Sequence, residues 1–237
     1  MKIRIAASLA VVALVSSSVA SASVPRGPTR ANADRADATA APQMHVVYFV
    51  PRDSADQRRD IDGSITSGLE RMNAWMAADS GLRWRFDRLR SDASLDVSFV
   101  RGGRLNSEYK SGSASVLDSV KSELTARGFD AANKRYLIFY CGDTRDSPLC
   151  GSAQYPIYAA RQYTPARDAV LLGGKTAIVF LNASAGCHSG EWGRASAPGW
   201  AEGTSLHELL HTEGLVAPGA PHECDPLAGH VCGFGPA

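Results

Sequence analysis

His207-Glu208-Leu209-Leu210-His211-Thr212-Glu213-Gly214 is the stretch from which the rest of the chain can be read. It contains H-E-x-x-H, the one pattern in the chain that specifies chemistry. On a helix, residues four apart share a face, so His207 and His211 can offer two imidazoles to one ion. Glu208 lies one step around the helix. It is no natural third ligand there, but it can take a proton from a water activated beside it. Zinc suits this set, because it accepts imidazole nitrogen and tolerates an open fourth position. Leu206, Leu209, Leu210 and Leu215 surround the motif, as on a half-buried helix, and Gly214 can end that helix in a left-handed turn. Three of the six histidines, His207, His211 and His222, fall within sixteen residues.

The chain around this helix reads as one α/β domain. Val46 to Val50 (VVYFV), Tyr136 to Tyr140 (YLIFY) and Thr176 to Leu181 (TAIVFL) are β-branched and aromatic runs expected to be buried strands. Trp84 to Leu89 and Leu95 to Val100 read as two further strands, and an edge strand is expected near Ser152 to Ile157. Ile61, Ile65, Leu69, Met72 and Met76 recur at helical spacing, closed by Ser80-Gly81. Val116, Leu117, Val120 and Leu124 give a second helix ending near Gly128. Helices interleaved with strands predict a mixed sheet in an α/β layer.

Met1 to Ala22 reads as a secretory signal peptide, with Lys2 and Arg4 before an apolar run and Ala20-Ser21-Ala22 at the cleavage site. Taking those 22 residues from 237 leaves 215 for the secreted chain, enough for one sizeable domain. Residues 23–43 lack large apolar side chains until the end and read as a flexible leader, with a single domain over 44–237. A net charge of +1 gives no argument for nucleic acid or an anionic membrane surface. No later run is apolar enough for a membrane span, and the mature chain is expected to be a monomer. Asn182-Ala183-Ser184 fits a glycosylation sequon of little weight.

All five cysteines follow residue 140, at Cys141, Cys150, Cys187, Cys224 and Cys232. Secretion makes disulfides the default expectation. Cys150 can pair with Cys187, or with Cys141. Cys224 and Cys232 bracket a short loop after the motif.

HELLHTEG with secretion resembles the zincin metallopeptidases, and H-E-x-x-H-x-x-G more narrowly resembles the metzincins. Their third ligand, His or Asp, stands at the tenth position after the first His, where this chain has Ala217. The tail GLVAPGAPHECDPLAGHVC, with KRYLIFYCG, PLCGSAQY and TAIVFLNASAGC upstream, is similar to a group of secreted actinobacterial zinc peptidase-like proteins. That resemblance covers Lys134 to Cys232. It departs at Val231 and Gly233, and no Met follows Met76 to stand in the Met-turn. It implies a zincin-like mixed twisted sheet, an active-site helix and a disulfide-stapled C-terminal segment. It also implies the pairs Cys150–Cys187 and Cys224–Cys232, leaving Cys141 free.

The expected site is therefore a Zn2+ held by His207, His211 and His222, with Glu208 as general base. Gly214 lets the chain reverse, and Pro218 and Pro221 stiffen the return of His222. Asp225 and then His230 are the alternatives. Tyr155, Tyr158 or His230 could stabilise the oxyanion, and Glu202 and Glu213 could orient a ligand histidine. His188 is assigned to a loop, and His45 has no argument as a ligand. The expected activity is peptide hydrolysis on a peptide or protein substrate. The alternatives are a zinc-binding, catalytically silent interaction module and a zinc amidase on a non-protein substrate.

Overall fold

The computed structural model describes residues 30–111, 115–146, 149–154, 175–183, 191–194 and 198–213, together with two short strands beyond them. It is a mixed α/β fold built on a five-stranded sheet. The strands are β1 (Gln43–Val50), β2 (Val97–Arg101), β3 (Lys134–Thr144), β4 (Gly151–Ala153) and β5 (Thr176–Ala183), in the order β2-β1-β3-β5-β4. The first four in that order run parallel, and β4 closes the edge antiparallel to β5. Four helices accompany the sheet: α1 (Ser64–Ser80), α2 (Asn106–Tyr109), α3 (Val116–Ala126) and α4 (Trp200–Thr212). A separate antiparallel pair, β6 (Glu223–Asp225) and β7 (His230–Val231), follows α4.

The unbroken apolar runs are explained by burial on both faces, as in parallel sheets covered by helices. Val46, Tyr48, Leu137, Phe139, Ala177 and Val179 pack on one face with Leu69 and Met72 of α1 and Leu209 of α4. Val47, Phe49, Ile138, Tyr140, Ile178 and Phe180 pack on the other with Leu117, Val120 and Leu124 of α3. Side chains alternate between the two cores with the period of two that a strand imposes.

Several expected boundaries move. Helix α1 begins at Ser64 rather than near Ile61, because Gly63 sits in the left-handed region at φ 86° and cannot continue a helix backward. Gly81 closes the helix, also left-handed, with its N–H on the Ala77 carbonyl. Trp84 to Leu89 makes isolated bridges, Met44 with Phe86, Arg88 with Leu95 and Asp37 with Leu89, and no strand. The edge strand expected near Ser152 appears as β4; residues 155–174 lie outside the described residues.

Arg30 to Pro42 is fastened to the domain: Ala31 bridges Ser98 and Asp37 bridges Leu89. The fastening is ionic. Arg30 pairs with Asp56 and Asp60, Arg35 with Asp96, and Asp34 and Asp37 with Lys134. Charge-rich composition signals disorder only when the charges lack partners, and here the fold supplies them. No described helix is long and apolar enough to cross a membrane.

Candidate functional site

Helix α4 is held at its start by one carboxylate. Glu202 is fully buried and accepts N–H groups from Gly193 (2.9 and 3.0 Å) and Gly199 (3.0 Å), which satisfies donors at the helix N-terminus. Arg71 of α1 balances its charge, with guanidinium nitrogens at 2.7 and 3.2 Å. Along the buried side, Ser205 Oγ donates to the Ala201 carbonyl and Thr212 Oγ1 to the Leu209 carbonyl, so neither hydroxyl is left unsatisfied. Leu209 is completely buried in the sheet core; such burial contributes about 1.5–3 kcal/mol. The helix ends at Thr212, and the Glu213 N–H bonds back to the Leu209 and Leu210 carbonyls.

This framework brings the two histidines of the motif together. Their Nε2 atoms lie 3.0 Å apart, and the rings stand almost perpendicular at 88°. Two nitrogens bound to one tetrahedral zinc at 2.0–2.1 Å would lie about 3.3 Å apart. The spacing therefore fits shared ligation of one ion within a few tenths of an ångström. His207 is exposed, while His211 is buried.

Glu208, one step around the helix from His207, packs against edge strand β4. A β-carbon built on Gly151 would lie 2.7 Å from Glu208 Cγ and 2.8 Å from its Oε1, so the absence of a side chain at Gly151 makes room for this carboxyl. Burial pushes the Glu208 carboxyl up to about 8, well above its ordinary 4.5. A neighbouring dication would pull it back down.

The remaining expected participants are placed unevenly. His222, the expected third ligand, and His188, Tyr155 and Tyr158 lie outside the described residues. Asp225 and His230 face each other in the β6–β7 register, where only the backbone is described. Glu202 and Glu213, considered as partners of a ligand histidine, instead pair with Arg71 and Arg135. Cys141 is a free, buried thiol, so it does not bridge to Cys150. Cys150 is disulfide-bonded, and Cys187 and Cys232 lie outside the described residues.

Sequence reasoning missed a second cluster centred on His45. Ligand atoms of Asp34, His45, Asp87 and Asp96 lie within 4.8 Å of one another, and this group could hold a metal ion. His45 Nδ1 is 2.8 Å from Asp87 Oδ2, and Nε2 is 3.0 Å from Ser98 Oγ. Ser98, His45 and Asp87 thus line up as nucleophile, base and orienting acid would. All three are fully buried, however, and the Ser98 hydroxyl donates to the Ala33 carbonyl. The cluster also carries cations of its own: Lys134 Nζ lies 2.6 Å from Asp34, Asp37 and Asp87, and Arg35 Nε lies 2.8 Å from Asp96. Burial works to raise the Asp87 carboxyl, but the His45 and Lys134 hydrogen bonds outweigh it and hold it below its ordinary value. Lys134 already supplies the positive charge that a metal would bring, and the cluster reads as an ionic clamp on the leader. Its members come from four separate segments, so no local spacing could have announced it.

Comparison of the chain with protein-family models, curated proteins and solved structures returned no match in any of the three.

Proposed function

We propose that this chain is a secreted zinc-dependent metalloendopeptidase. The observation that carries the reading is the convergence of His207 and His211 Nε2 atoms at 3.0 Å on a helix whose next residue, Glu208, lies against an antiparallel edge strand. His207 and His211 would hold the ion with a third donor, His222 by preference and Asp225 or His230 otherwise. When bound, zinc polarises the scissile carbonyl and lowers the pKa of the attacking water.

The protein's own residues do the rest. Glu208 accepts a proton as the water oxygen attacks the carbonyl carbon, and returns it to the amine nitrogen as the C–N bond breaks. The Arg71–Glu202 pair and Leu209 fix the helix, and with it the positions of the histidines. Among the described residues β4 pairs with β5 alone. Its outer edge can take an extended peptide as an added strand, running past Glu208 at Gly151.

The test is zinc content and hydrolysis of a quenched peptide library, measured on the same samples. Wild type should hold about one zinc per chain and cleave. His207→Ala should lose most of the metal. Glu208→Gln should keep it and lose activity by about 10²–10⁴-fold. Stoichiometric zinc in a His207→Ala, His211→Ala double variant would remove the site. Zinc-loaded wild type that cleaves nothing across the library would leave a silent binding module.

A further inference from the structure

A pocket of about 350 Å3 lies where the starts of β1 and β3 meet segment 83–85 and the residue after α4. Its size falls within the range that holds small molecules. Five cationic side chains line it: Arg83, Arg85, Lys134, Arg135 and Lys175. Lys134 is neutralised by Asp34, Asp37 and Asp87, and Arg135 by Glu213. Arg83, Arg85 and Lys175 have no carboxylate partner among the described residues. Arg85 is partly oriented, its guanidinium donating to the Pro42 carbonyl at 3.2 Å.

The wall between these cations is apolar, formed by Trp84, Met44 and Pro42. Two atoms of lining residues, Trp84 Nε1 and Gln43 Oε1, are buried without a hydrogen-bond partner among the described residues. Positive charge without a carboxylate partner among the described residues, beside an apolar and aromatic lining, defines what fits.

We propose that this pocket binds a small organic anion, its phosphate or carboxylate held by Arg83, Arg85 and Lys175 and its apolar part on the Trp84 side. An extended polyanion is a poorer fit, since the chain's net charge of +1 leaves no wider basic surface to follow. The site does not involve the motif histidines, and it stands whether or not the chain hydrolyses peptides.

The test is calorimetric titration of the full secreted chain with phenyl phosphate, benzoate, inorganic phosphate and benzyl alcohol. Phenyl phosphate or benzoate should bind once per chain with Kd of about 1 mM or tighter, and whichever is tighter identifies the anionic group. Benzyl alcohol and inorganic phosphate should each bind at least about tenfold more weakly than that ligand, and its affinity should fall as salt rises. The combined R83Q, R85Q and K175Q variant should lose at least about tenfold in affinity, because each removed cation weakens the anion's hold. K175Q alone should give a partial loss, which covers failure of the triple variant to fold. The proposal is overturned if neither acid binds saturably, or if the Lys175 and triple variants bind like wild type. It is equally overturned if benzyl alcohol or inorganic phosphate matches the better acid.

Discussion

Gly151→Ala is the change that most directly probes the contact between edge strand and motif helix. The added methyl would lie 2.6 Å from the Ile178 carbonyl oxygen, 2.7 Å from Glu208 Cγ and 2.8 Å from Glu208 Oε1. Carbon atoms in ordinary contact are about 3.5–4.0 Å apart, so strand and carboxyl must separate by roughly 0.8 Å or more. The Ile178 oxygen belongs to an interior strand and cannot yield cheaply, so edge strand β4 must shift and Glu208 must move with it. Overpacking of this kind costs about 1–3 kcal/mol. A catalytic group displaced by about 1 Å can lose on the order of 10²-fold in rate. Denaturant unfolding should therefore show the stability loss, and peptide hydrolysis should fall about 10²-fold while zinc content stays near wild type. Gly203→Ala is the control, because a methyl there meets nothing within 4 Å on the same helix. Replacing that exposed helical glycine should stabilise the fold by about 0.5–1 kcal/mol. If Gly151→Ala unfolds and hydrolyses like wild type, Glu208 does not sit against β4, and the account of the site fails at that contact.

Three further outcomes are expected. In metal-free protein, burial favours the protonated Glu208 carboxyl, so its contribution is full below about pH 4.5 and is lost as pH rises through about 8. By pH 7 the loss is about 3 kcal/mol, so Glu208→Gln with chelator present should flatten the decline in stability from pH 5 to 8, and parallel curves would refute it. Glu202→Ala leaves Arg71 and two backbone N–H groups without their acceptor and should cost about 3–5 kcal/mol in a urea titration, with a smaller loss for Glu202→Gln. Cys141 should resist a thiol reagent in the native state and react with one equivalent on unfolding; rapid native reaction would contradict its burial.

What could be read from the sequence was local. His207 and His211 share a helix face through a four-residue spacing, and the three central strands announce themselves as apolar runs. The starts of β1 and β3 did not, because Gln43 and Lys134 are polar yet buried opposite each other in the ladder, which a hydropathy pattern cannot register. The Trp84 to Leu89 segment alternates like a strand, but only Phe86 and Asp87 are buried and no ladder forms there. Glu202 and Arg71 are 131 residues apart, and His45 and Asp87 are 42 apart. Pairings at such separation exist only once the sheet has placed them. His45 has no local argument as a ligand, yet its ring nitrogens meet Asp87 and Ser98 within the ionic clamp.

The clamp also decides where the folding unit begins. Lys134 is 3% exposed, and two of its three carboxylate partners, Asp34 and Asp37, belong to the segment before β1. A version of the chain trimmed to start at Met44 would keep every residue of the two cores, yet would leave that ammonium facing Asp87 alone. It would also uncover Ser98 and His45, now roofed by Ala31 and Ala33. A buried cation stripped of its counter-charges is strongly destabilising. These contacts span 97 and 100 residues, so they close among the longest loops in the described structure. Residues 30–42 are synthesised well before β3, yet they must wait for it before they can dock. Recombinant work should therefore keep the chain from Arg30 onward, and a proteolytic nick before β1 should loosen the sheet from its β1 end.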